Sequence, residues 1–322
     1  MNASYQHITI SKKRLFTFYA SALIFLTSAL LLYFLGVTTS NDVNEYKDLW
    51  NRLQNVGFMD AVSIERFEVG SLLLYWSLSQ LLSASATFYT VGFTAMSVKY
   101  YLFKKHLHYP LFAWFIYITI FIHVLDTNQI RASLAVCFIL YALISENHGK
   151  SYLILAVIAS FFHYSGLIIV LLYFVRAPLI GVVSVTLLIL FFDSIITYTD
   201  KLSFLQMFLS SPGQVNLTNS NFIVQACISI ICAFKWKSLS EAQKKGAYLI
   251  MMGVIFYILF YNNAIMAHRL RELSLIGIFP LLFLGERKLE YSFIIIWLCV
   301  GYIVAYSIWI VMTEFLHLYL VV

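Results

Sequence analysis

Apolar residues in this chain come in long unbroken runs separated by short polar turns, and Leu15–Gly36 and Tyr291–Met312 are the longest of them. A run of about 18 apolar residues is long enough to cross the hydrocarbon of a bilayer as a helix. Inside hydrocarbon each backbone polar group needs a partner within its own segment or in a closed ring of strands. These runs are continuous rather than alternating, so the pattern predicts helices and excludes a β-barrel. The expectation is an all-α, polytopic integral membrane protein in which residues 1–322 form one transmembrane domain.

Short basic clusters punctuate the runs: Lys12-Lys13-Arg14, Lys104-Lys105, Lys235 with Lys237, Lys244-Lys245 and Arg287-Lys288. Cytoplasmic loops carry such an excess of Lys and Arg. Threaded on that rule, the chain starts inside and its first run is an uncleaved span. Further spans follow near 86–103, 109–125, 130–145, 178–197, 220–234, 246–261, 273–284 and 290–312. Residues 151–175 work only as two short helices, with a tip at Phe162-His163-Tyr164-Ser165-Gly166; a single helix would invert every later loop. The total is about 11 crossings, and the C-terminus lies outside. Most of the 21 basic residues then fall inside and most of the 15 acidic residues outside.

Two stretches do not fit as crossings. Residues 37–85 form the first outer, periplasmic loop, in which Val43, Tyr46, Trp50 and Leu53 recur at helical spacing among charges of both signs. That is the pattern of a helix lying at the interface. Within the loop, 67–82 is apolar but short, so it is expected to be re-entrant or packed part-way into the outer leaflet. Residues 198–219 make the second outer loop.

Composition narrows the function. The chain is 61% apolar and 11% charged, against roughly 25% charged in a soluble domain. Its net charge of +6 is spread over the loop clusters, with no basic face on a soluble module, so nucleic acid is not an expected partner; the lipid bilayer is. Cys137, Cys227, Cys232 and Cys299 sit singly in apolar runs and read as packing residues. No H-E-x-x-H, P-loop or G-x-S-x-G motif is present, so zinc protease, P-loop ATPase and α/β-hydrolase chemistries lack their signatures.

Ionisable groups at membrane depth are costly and mark function by default. Four polar groups converge on the expected outer side: Glu65-Arg66-Phe67-Glu68 with Gly70; Asp126-Thr127-Asn128-Gln129 with Arg131; His163-Tyr164-Ser165; and Asn262-Asn263 with His268-Arg269 and Arg271-Glu272. Each has a plainer explanation. Glu68 could be a solvated interfacial charge, Arg131 a partner of Asp126 or of helix carbonyls, and His163 a core histidine. Arg269 and Arg271 could snorkel to headgroups. As a set, the arginines suit a diphosphate, whose oxygens match the guanidinium fork. A His or a carboxylate beside them could take a proton from a sugar hydroxyl. The combination fits glycosyl transfer from a lipid diphosphate, with arginines and no metal or cofactor carrying the leaving group.

At these residues the chain resembles the EpsG-type branch of the Wzy-like O-antigen and exopolysaccharide repeat-unit polymerases. Asn128-Gln129-Ile130-Arg131-Ala132-Ser133-Leu134-Ala135 is similar to the family's N-x-[IV]-R-Q-x-[IL]-A block. Ser160-Phe161-Phe162-His163-Tyr164-Ser165-Gly166-Leu167 is similar to its S-[LF]-F-H-x-[ST]-[AG]-L block. Phe67-Glu68-Val69-Gly70 resembles an E-P-G-[FY] element, and Asp42 with Tyr46 the D-x-x-x-Y of the first outer loop. Ala132 and Val69 depart from the family's Gln and Pro. The resemblance implies a fold related to the GT-C glycosyltransferases of lipid-linked sugars. It also implies a polymerase that uses undecaprenyl-diphosphate-linked oligosaccharide at the periplasmic face of a bacterial inner membrane, with a chain-length regulator as a further partner. His163, Glu68 and Arg131 would be catalytic. Arg269, Arg271, Asn128, Asp42, Tyr46, Tyr164 and His268 would bind substrate. The alternatives are a lipid-linked oligosaccharide flippase or another transporter, which would be expected to show repeats and midplane polar sites, and a membrane acyltransferase modifying the glycan.

Overall fold

The structure, a computed structural model, describes residues 19, 21–23, 25–30, 41–64, 68–127, 130–145, 149–190, 213–284 and 291–320. Among them every regular element is helical, and the sole extended pairing is an isolated bridge between Gly213 and Asn263. One helix is long and apolar enough to cross a bilayer unaided, over Phe293–Ile310; several shorter apolar helices accompany it. The first run lies largely outside the described residues, although its Phe25 packs on Phe93 and Tyr100 and its Ser28 accepts a hydrogen bond from Trp114.

Ahead of the bundle lie three helices, α1 (Asn41–Leu53), α2 (Phe58–Ile64) and α3 (Val69–Ser79). On α1, Tyr46, Leu49 and Leu53 turn one buried face inward while Lys47 and Asp48 stay exposed. At 11 residues α3 rises only about 16 Å, about half of a ~30 Å hydrocarbon core. It packs on Phe88, and its Ser71 bonds to the Phe162 carbonyl.

The bundle proper is α4 (Ala84–His106), α5 (Pro110–Tyr117, continuing as a wide π-helix through Thr127), α6 (Ile130–Ile144) and α7 (Lys150–Phe162). A tight 3-10 return helix (Tyr164–Phe174) follows, then α8 (Pro178–Leu190), α9 (Ser220–Phe234), α10 (Glu241–Leu259), α11 (Ala264–Ser274), α12 (Ile278–Phe283) and α13 (Tyr291–Leu320). Starts are set by local chemistry. Ser83 and Asn219 accept from backbone N–H groups of their own first turns, Ser240 forms a reciprocal capping box with Gln243, and Pro110 takes a first-turn position that needs no N–H. At the centre Phe103, Trp114, Tyr117, Phe121 and Phe279 form one aromatic stack, with Phe103 and Phe279 ring centres 4.6 Å apart.

The hairpin expected over 151–175 is present and breaks at His163, but its second arm is wound as a 3-10 helix. One boundary needs correction. The span placed at 273–284 begins at Ala264, where the Asn263 side chain accepts from the Met266 N–H. His268, Arg269, Arg271 and Glu272 therefore lie within the helix rather than ahead of it. Asn263 has the non-helical backbone and short polar side chain of an N-cap, a signal that the apolar-run criterion passes over.

Candidate functional site

Glu68 stands at the N-cap of α3 with extended backbone (φ −63°, ψ 138°), yet its carboxylate does not cap its own helix. It turns across the bundle instead. Oε2 accepts from Nη1 of Arg131 at 2.6 Å, and Oε1 accepts from the backbone N–H of Tyr164 at 3.3 Å. Arg131, in the first turn of α6, also donates from Nε to the Tyr46 hydroxyl at 3.2 Å. Tyr46 is held by a stack on Tyr75, 5.6 Å between centres, and by the edge of Phe88. The Glu68 and Arg131 side chains are 5% and 21% exposed. A carboxylate this withdrawn from water demands a partner, since stripping one from a buried pair costs about 3–5 kcal/mol.

The tip is held to the same point. The N–H of His163 still bonds to the Ala159 carbonyl, after which the chain extends (φ −165°, ψ 134°) and rewinds. His163 Nδ1 accepts the Ser165 N–H at 3.2 Å and lies 2.7 Å from Ser165 Oγ. A backbone N–H can only donate, so Nδ1 is an acceptor here, and a neutral ring carries its hydrogen on Nε2. In this arrangement His163 offers a donor and no free lone pair.

Two small residues permit the closure. A Cβ on Gly70 would lie 2.7 Å from the Phe161 carbonyl oxygen, so α3 can sit directly on the last turn of α7. There Ser71 Oγ donates to the Phe162 carbonyl at 2.6 Å. A Cβ on Gly166 would meet the Ala159 backbone at 2.6 Å, so the return helix lies tightly along α7.

The fourth sequence group divides. Arg271 is buried, its guanidinium 5.3 Å from the Tyr257 ring centre; it donates to Asn219 Oδ1 and to Glu272, each at 3.4 Å. His268 meets the edge of the same tyrosine. Arg269 differs from it. It is exposed, and its charge acts on His163 and Tyr164. Asn128 and the side chain of Asp42 lie outside the described residues, as do Glu65 and Arg66.

A model of the EpsG family matches residues 18–321, almost the whole length of the chain. The chain belongs to the EpsG family. Comparison with curated proteins and with solved structures finds no match. Membership points to a membrane protein of polysaccharide biosynthesis, in general terms a repeat-unit polymerase acting on lipid-linked sugars.

The three blocks that resemble EpsG-type sequences are the ones that meet here. Arg131 comes from the first, His163-Tyr164-Ser165 from the second and Glu68 with Gly70 from the third. Val69, where the family pattern has Pro, occupies the first helical position of α3, the place where a proline costs nothing. Ala132, where the pattern has Gln, is buried and brings no polar group.

Reading the sequence for polar clusters passes over Lys99. It lies inside the apolar span of α4 and is fully buried, with Nζ 2.6 Å from Ser133 Oγ on α6 and 5.2 Å from the Tyr117 ring centre. A lone cation within a membrane run is itself the signal that finds it. Lys99 ties α4 to the helix that carries Arg131.

Proposed function

We propose that this chain polymerises undecaprenyl-diphosphate-linked oligosaccharide repeats of an O-antigen or related surface polysaccharide, through about 11 crossings in a fold of the GT-C kind. The site would face the periplasm from a bacterial inner membrane. The observation that carries the reading is the buried Glu68–Arg131 pair, closed by the Tyr164 N–H at the His163 tip and attended by Arg269. The planar fork of Arg131 on that carboxylate, with the charge of Arg269 acting on the tip, supplies the groups that transfer from a diphosphate uses.

In the reaction, the acceptor hydroxyl oxygen at the non-reducing end of the incoming repeat bonds to the anomeric carbon of the growing glycan. The bond from that carbon to the diphosphate oxygen breaks, and its electron pair leaves on the diphosphate. Arg131 and Arg269 bind that charge, with the His163 Nε2–H as a further donor. The diphosphate competes with Glu68 for the Arg131 fork, and as it takes those donors Oε2 of Glu68 is released. Glu68 then receives the proton of the attacking hydroxyl. His163 is a donor in this scheme, since its Nδ1 already accepts from Ser165. Arg271 is part of the scaffold. Preorganised donors of this kind are each worth about 10²–10³ in rate.

A deletion strain tests the function. Loss of a polymerase leaves surface glycan as single capped repeats, restored to a ladder by the wild-type gene and not by Arg131→Ala. Absence of any capped repeat would indicate a flippase, and an unchanged ladder an acyltransferase; either result overturns the reading.

A further inference from the structure

Beside the tip, a cavity of about 500 Å³ runs along the return helix, inside the roughly 300–1,000 Å³ range of ligand sites. One wall is the return helix itself; the other is made by Phe256 and Phe260 of α10 with Met266 and Leu270 of α11, and Val185 of α8 lies deeper. Polar atoms enter the lining at Tyr164 and Ser165, at the tip, and at Ser184.

The winding of that helix shapes the cavity. In a 3-10 helix, residues three apart eclipse one another, so side chains form straight files where an α-helix would spiral them. Ser165, Ile168, Leu171 and Phe174 are one such file, and Tyr164, Leu167 and Val170 the next; both files line the cavity. From Ser165 to Phe174 the rise is about 18 Å at 2.0 Å per residue, over half the depth of a ~30 Å hydrocarbon core. A mostly apolar channel therefore starts at Tyr164 and Ser165, next to His163, and follows the return helix away from the tip.

We infer that this channel seats the diphosphate-proximal part of the substrate's polyprenyl chain, with the diphosphate at its mouth between His163 and Arg269. The inference rests on the proposed polymerase reading for the identity of the head group. An anionic head with an apolar tail matches a mostly apolar cavity whose polar end, at Tyr164 and Ser165, adjoins His163 and feels the charge of Arg269. Bilayer tails are as apolar as the channel walls, so moving the tail into it brings little hydrophobic gain. Its contribution is position: a tail fixed in a straight channel fixes the anomeric carbon relative to Glu68, and orientation is where large rate factors arise.

The test compares synthetic repeats carried on a long prenyl diphosphate, on a short prenyl diphosphate of few isoprene units, and on a straight acyl diphosphate matched in carbon number to the long one. The wild type is expected to prefer the long prenyl chain in kcat/KM. In Ser184→Trp and Leu167→Trp, which place indoles in the channel at two depths, that preference should shrink by at least about tenfold, within the range over which apolar pockets discriminate. Thermal midpoint and monodispersity identify the folded variants. A preference unchanged in either folded variant overturns the inference, and so does equal use of the straight acyl chain by the wild type. Should the wild type elongate none of the three, the polymerase reading fails, and a photoreactive prenyl diphosphate without sugar decides the channel by itself. Crosslinks to the peptide holding Ile168 and Leu171 would support it, and crosslinks elsewhere would overturn it.

Discussion

Replacing Gly70 with alanine would separate the geometry of the site from its chemistry, because Gly70 carries no reactive group. The added Cβ would lie 2.7 Å from the Phe161 carbonyl oxygen, where ordinary contact begins at 3.4 Å, so α3 must withdraw by about 0.7 Å. The obstacle is backbone at the end of α7, which cannot swing aside as a side chain would. Withdrawal stretches the 2.6 Å bond from Ser71 to Phe162 towards about 3.3 Å, and it draws Glu68 away from Arg131. Overpacking of this kind costs about 1–3 kcal/mol, partly offset by up to ~1 kcal/mol of helix propensity gained by alanine. The expected net loss of roughly 1–2 kcal/mol lowers the thermal midpoint by only a few degrees in a chain of this size. Misplacing catalytic groups by nearly 1 Å costs up to about 10²-fold in rate. Gly70→Ala should therefore lose far more polymerisation than stability. Gly301→Ala is the control, since nothing lies within 4 Å of its added Cβ. The assays are a fluorescence melt in detergent and a gel ladder from purified protein with lipid-linked repeats. Wild-type ladder kinetics in Gly70→Ala, or equal losses in the two variants, would refute the argument.

Arg131→Lys keeps the charge and loses the two-point fork; single-turnover transfer should fall by about 10² or more while the protein still inserts and purifies. Arg269→Ala and Arg271→Ala should part company: the first weakens binding of a lipid diphosphate more than it lowers the melting point, and the second lowers the melting point more, through the lost contacts to Asn219, Glu272 and Tyr257. His163→Gln can reproduce both an acceptor for the Ser165 N–H and an outward donor, so its kcat should stay within about tenfold of wild type while His163→Ala falls by about 100-fold. A 100-fold loss in the glutamine variant would make His163 the base in place of Glu68.

The sequence carried the fold wherever a physical rule is local. Apolar run length marks the helices, and the break expected within 151–175 falls at His163, where one helix ends and the next begins. Motif order also selected Glu68, Arg131 and His163, three residues that the structure brings together. Other features depend on three-dimensional partners. Arg269 and Arg271 are two apart on one helix and face nearly opposite ways, so which of them reaches His163 follows from how α11 is rotated. The tautomer of His163 depends on a bond to a residue two positions on, made only because the chain extends at the tip. The 3-10 winding of the return helix has no compositional mark that separates it from an apolar α-helix.

The placement of Glu68 ahead of both its partners has a consequence for biosynthesis. Glu68 precedes Arg131 by 63 residues and the Tyr164 N–H by 96, so at about 5–20 residues per second the carboxylate waits roughly 3–13 s for the guanidinium. Arg131 is never made without its counter-ion already synthesised. This order spares the membrane an unmatched cation at the costliest moment, when the helix carrying it leaves the insertion machinery. The pairing partners Tyr46, Glu68, Arg131 and Tyr164 all lie within the first 164 of the 322 residues, so a nascent chain stalled shortly after the hairpin should already hold the pair. Arg269, more than a hundred residues later, would then be the last part of the cluster to arrive.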